Sequence, residues 1–105
     1  MSDQNEEMKE KLNAETGKLV WQELEKHYAR GVVVKVSSDL DLVDVAVCFA
    51  EDNKDPIEKW LTSGELARAM EDDARRWGEE DPLFWAVVVA PWVLVQETET
   101  PDALH

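Results

Sequence analysis

The sequence predicts an α+β fold, with a small sheet built on the hydrophobic C-terminal strand and covered by several short helices. Three observations lead there. Residues 83–95, LFWAVVVAPWVLV, hold no charge in a chain whose formal net charge is −13. Such a run, rich in Val and Trp, belongs in a core or an interface. Val32, Val33, Val34 and Val36 form a second β-branched run, which favours a strand. The segments around them carry helical periodicity with cap and stop residues.

The first third reads as helix. Asp3 and Glu6 have capping-box spacing, and Met8 and Leu12 share one face. Gly17 predicts a break or kink. A second helix follows, with Val20, Trp21, Leu24 and Tyr28 on one stripe, and Arg30-Gly31 as its stop. After the valine strand, residues 38–52 fit two patterns. As a strand, Val43, Val45, Val47 and Phe49 would share a face. As a helix, Ser38 caps, Asp41 completes a capping box, and Asp41, Asp44, Cys48 and Glu51 line a polar stripe. The cap and the stripe favour helix.

Asp55-Pro56-Ile57-Glu58 supplies an N-cap, a first-position proline and a first-turn acid. That helix turns Ile57, Trp60 and Leu61 inward and ends before Gly64. Residues 66–70 suit an edge strand, and 71–77 a short, poorly capped helix that stops at Gly78. Within the final hydrophobic run Pro91 lacks the amide of a central ladder, so two strand segments with a bulge or bend at Ala90-Pro91 are expected. Residues 1–97 are expected to form one α+β domain, and 98–105, ETPDALH included, a mobile C-terminal tail.

The residues that open the pattern are Leu12-Asn13-Ala14-Glu15-Thr16, Trp21, Glu23-Leu24 and Ala29-Arg30-Gly31. Asp41-Leu42-Val43, Ala50-Glu51-Asp52 and Trp60-Leu61 continue it, and Trp85 with APWVLVQ at Ala90–Gln96 closes it. From about Leu12 to Glu97 the chain resembles a family of small bacterial proteins known as a domain of unknown function, DUF2288. The resemblance implies a bacterial cytoplasmic protein that stands alone as one domain. It lends no catalytic residue, cofactor or substrate.

Charge excludes several classes. Asp and Glu total 24 against 11 Lys and Arg, a field that repels phosphate backbones and anionic membranes. Neither nucleic acid nor membrane is an expected partner. The acidic N-terminal stretch has no hydrophobic signal segment, so the expected location is cytoplasmic. One cysteine, Cys48, leaves no internal disulfide or multi-Cys zinc site. Four scattered glycines make no phosphate loop, and no cofactor is expected.

Two constellations bear on chemistry. Glu23 and His27 lie one helical turn apart, where a carboxylate can orient an imidazole for general-base work. An exposed helix pair explains the same spacing. Asp39, Asp41 and Asp44 form the densest carboxylate cluster, which a hard cation could use. A helix start whose acids complement the macrodipole explains it equally. Carboxylates beside Cys48 should suppress its thiolate.

The five tryptophans complete the inventory. Trp21, Trp60 and Trp77 fall on apolar helix faces, whereas Trp85 and Trp92 are interface candidates. On an uninterrupted strand those two would face opposite sides; a bulge at Pro91 would bring them together. The expectation is a non-catalytic binding or assembly module, a homo-oligomer or one that docks a basic protein partner. The alternative is a small enzyme or metabolite- or metal-binding domain that uses Glu23 and His27, or Asp39, Asp41 and Asp44.

Overall fold

In a computed structural model the backbone is described over residues 2–97, with side chains from residue 6 onward. The expected cap at Asp3 and tail at 98–105 lie outside the described residues. Helix α1 (Ser2–Glu15) leads into a short strand β1 (Gly17–Val20), then helix α2 (Trp21–Ala29) and strand β2 (Val33–Val36). Helices α3 (Leu42–Ala50) and α4 (Lys54–Ser63) precede strand β3 (Leu66–Arg68) and helix α5 (Glu71–Glu80). Strands β4 (Leu83–Val89) and β5 (Trp92–Glu97) close the chain. The fold class is α+β, as the sequence predicts.

The sheet order is β1-β4-β5-β2-β3. β5 runs parallel to β2, and every other neighbouring pair is antiparallel. Alternation along the strands then gives each face its own core. One face supplies Val34, Val36, Leu66, Val87 and Leu94 to a core closed by Leu12 of α1 and Leu42, Val45 and Ala46 of α3. The other supplies Val33, Phe84, Ala86, Val93 and Val95 to Leu24 of α2 and Trp77 of α5. Helices therefore cover both faces.

Three boundaries follow their sequence signals. α2 ends in a Schellman arrangement: the Gly31 N–H reaches Tyr28 O at 2.9 Å, and the Val32 N–H reaches His27 O at 3.4 Å. Gly31 takes φ +76° there, a conformation open to glycine without strain. Gly64 ends α4 in the same region. β3, expected at a sheet edge, is the edge strand next to β2.

Other expectations are corrected. Val20 belongs to β1 rather than to the α2 stripe, because pairing with Leu83 holds it extended. Residues 38–52 are helical only from Leu42, and the cap is Asp41, not Ser38. The next helix begins at Lys54, ahead of Asp55, after an Asn53 cap that makes no side-chain bond. Pro56 is tolerated inside it because the first turn's amides have no intrahelical acceptor. Leu61, expected to face inward, is 51% exposed, whereas Ile57 and Trp60 pack against the core. α5 runs through Gly78 and ends at Asp81. Finally, Ala90-Pro91 makes a complete reversal: Val89 pairs with Trp92, and the Ala90–Pro91 peptide is cis. The hydrophobic run is a hairpin, not a bent strand.

Candidate functional site

Glu23 and His27 both lie on α2, but Glu23 serves the helix start. Its carboxylate accepts the Val20 N–H at 3.3 Å, in place of a side-chain cap that valine cannot provide. His27 is half-buried, and its carbonyl receives the Arg30 and Val32 amides.

The Asp39, Asp41 and Asp44 cluster is dispersed by its local duties. Asp41 accepts the Val43 N–H at 2.9 Å and the Asp44 N–H at 3.2 Å, which satisfies amides that a helix start leaves without partners. Asp44 meets Lys9 of α1 at 3.0 Å. Asp39 stands exposed in the turn before the cap, its amide donating to Ser37 Oγ. Among the described residues no three His, Cys, Asp or Glu side chains gather around a point suited to a metal ion. Burial pushes the Cys48 thiol up, and the nearby Asp44 and Glu51 carboxylates push it further.

The hairpin brings Trp85 and Trp92 to one face of the sheet, at opposite ends. Trp92 is half-buried among core residues, with Arg68 5.7 Å from its ring centroid. Trp85 is 39% exposed. It lies between two cross-strand neighbours: Lys18 on β1, whose Nζ is 5.0 Å from the ring centroid, and Gln96 on β5. Gln96 donates to Ser37 O at 2.8 Å and Leu40 O at 2.7 Å. Those bonds fix the turn that leads into α3. Between that turn, the end of α1 and the Trp85 ring lies a groove of about 310 Å³, lined by Asn13, Thr16, Asp41, Val43, Trp85 and Gln96. A neighbouring depression of about 300 Å³ shares Asn13, Asp41 and Val43 and adds Lys9 and Glu10.

A cleft of about 420 Å³ opens on the opposite face, beside Lys35, Ser37, Glu65, Arg76, Trp77 and Glu97. Its two cations are paired internally. Lys35 meets Asp73 at 2.9 Å, and Arg76 grips Glu97 through two bonds of 3.2 and 2.7 Å. The Arg76 hydrogen bond holds the Glu97 carboxyl below its usual range, against burial and with help from Trp77. Burial would raise the Asp73 carboxyl, but hydrogen bonds from Lys35 and the Met70 amide hold it low. Sequence reasoning missed this network. Helical spacing could have paired Arg76 with Asp73, three apart in the expected helix; Glu97 arrives from a distant strand.

No helix among the described residues is long and apolar enough to cross a membrane. None of the curated protein sequences matches the chain. Among solved structures, the NMR solution structure of PA1075 from Pseudomonas aeruginosa is similar, with 44% sequence identity and a TM-score of 0.78. The alignment covers 90% of this chain and 87% of that one. Residues 7–97 match the family model described as "Protein of unknown function (DUF2288)", and the chain belongs to that family.

Proposed function

We propose that the protein is a non-catalytic binding module whose docking site is the groove floored by Trp85. The observation that carries this reading is the exposure of Trp85 beside a preformed groove, while Trp77 on the other face is wholly buried. Tryptophan is among the residues that dominate binding energy when a partner covers them. The enzymatic alternative has less support, because Glu23, Asp41 and Asp44 are each engaged by a backbone amide or by Lys9.

Affinity capture from the host's lysate tests the reading, with wild type, Trp85→Ala and Cys48→Ala as baits and quantitative mass spectrometry as readout. Sedimentation of each bait checks its fold and oligomeric state. A partner held by wild type and Cys48→Ala but lost by folded Trp85→Ala is the expected result. Identical eluates from all three would overturn it.

A further inference from the structure

The groove beside Trp85 has a chemical bias that narrows its occupant. Its volume stands at the lower end for ligand pockets and accommodates one or two inserted side chains. Two features favour a positive charge there. The C-terminal end of α1 borders the groove through Asn13 and Thr16, and its last turn holds no basic residue. Helix C-termini concentrate partial negative charge and are stabilised by cations. Asp41 places a carboxylate in the groove and Glu10 another in the depression beside it, where Lys9 is already paired with Asp44. One face of the Trp85 ring is already held by Lys18, whose Nζ lies 5.0 Å from the centroid, so the indole offers a partner apolar contact rather than a vacant cation site.

A second copy of the chain is a poorer occupant. The β1 edge beside Trp85 is four residues long, small against the roughly 1,200–2,000 Å² that stable interfaces bury. The second copy would also bring another net charge of −13. We infer that the Trp85 groove receives a lysine- or arginine-bearing segment of a basic protein partner, its cationic side chain set against Asp41 and the adjoining Glu10, with the indole packing on its apolar part. This rests on the binding reading above and assigns that site its partner chemistry.

The test is an NMR titration of the full chain with synthetic peptides of about ten residues. One peptide interleaves lysine and arginine with apolar residues; its twin carries uncharged glutamine at the basic positions. Trp85→Phe assigns the Trp85 indole signal, and Glu10→Gln with Asp41→Asn removes the carboxylates of the groove and the adjoining depression while leaving a capping side chain at position 41. The expected result is saturable movement of the Trp85 indole, Asn13 and Gln96 by the basic peptide only. Its affinity should fall about tenfold or more between about 50 and about 500 mM salt, and similarly in the double variant.

Equal binding of the uncharged twin would overturn the basic class and leave the groove as a docking site. Movement spread over α5, with Trp85 still, would show attraction to the acidic surface at large and overturn the site. Shifts of the groove residues with protein concentration alone would make a second copy the occupant. Silence toward both peptides and in self-dilution would sink the cationic assignment; the lysate capture would then decide the docking reading separately.

Discussion

Trp77 donates its indole Nε1–H to Glu97 Oε2 at 3.1 Å, which fastens a helix over one sheet face to the last residue of β5. The ring meets Phe84 edge-on, with centroids 5.0 Å apart, and Arg76 of the same helix holds the same carboxylate. Burial, aromatic contact and a charge-assisted bond thus converge on one contact between α5 and the sheet.

The three tryptophans on or against the sheet should differ in stability cost according to their burial. Trp77→Ala is expected to lose ~3–5 kcal/mol, enough to unfold a marginal domain. Half-buried Trp92→Ala should lose less, and Trp85→Ala least, about 1 kcal/mol. Urea melts of the three variants give the order directly. A Trp85→Ala loss as large as that of Trp77→Ala would place Trp85 in the core and remove it from the docking site.

Acid should weaken the α5 attachment. The ordinary values of the Glu97 and Asp73 carboxyls are 4.5 and 3.8, and both are lowered in the folded protein. A depressed folded value means that the unfolded chain takes up protons first as pH falls. The stabilisation is therefore complete above the ordinary carboxylate range and is lost as pH drops through the lowered values. Urea midpoints followed from about pH 7 to about pH 3 should fall less steeply for Glu97→Gln than for wild type. Parallel acid limbs would show that the Arg76–Glu97 contact contributes little.

Loss of the α3 cap should be measurable by itself. Asp41→Ala removes the acceptor for two amides and is expected to cost about 1 kcal/mol, whereas Asp41→Asn should keep most of that stability. Thermal or urea denaturation of the pair distinguishes a capping role from a purely electrostatic one, since asparagine accepts the bond without the charge.

Two glycines should respond with opposite sign. Gly78 lies inside α5, and a Cβ there would meet Trp21 Nε1 at an ordinary 3.6 Å. Gly78→Ala is expected to stabilise by about 0.5–1 kcal/mol through helix propensity. Gly64 has open space around it but a φ of +87°, so Gly64→Ala should cost about 1–2 kcal/mol from backbone strain alone. Melting of the two variants in the same direction would contradict this account.

Local chemistry made much of this fold legible. Gly31 and Gly64 mark helix ends through a backbone conformation that belongs to the residue itself, whereas capping-box spacing puts the start of α3 one turn early, at Ser38 instead of Asp41. The strand at 33–36 was plain from its valines. β1 was not, since GKLV carries no strong alternation and is held extended by register with residues 83–86 of β4. Gly78 misled because helix continuation there is supported by the buried Trp77 next to it. At the site, Trp85 and Trp92 were marked by type, but their common face depends on the reversal at Ala90-Pro91. The groove was invisible: Asn13, Asp41 and Gln96 are distant in the chain and meet only because Gln96 pins the turn before α3.

The sheet order bears on how the chain assembles. β5, the latest strand in the chain, occupies the middle of the sheet, with β4 and β1 on one side and β2 and β3 on the other. During synthesis the β2–β3 pair, connected through α3 and α4, therefore waits with one edge lacking its neighbour. Only residues 92–97 join the two parts, through sequence-distant parallel pairing of the kind that slows folding. Over that interval the nascent protein is most exposed to wrong strand partners, and its abundant acidic side chains keep neighbouring chains apart.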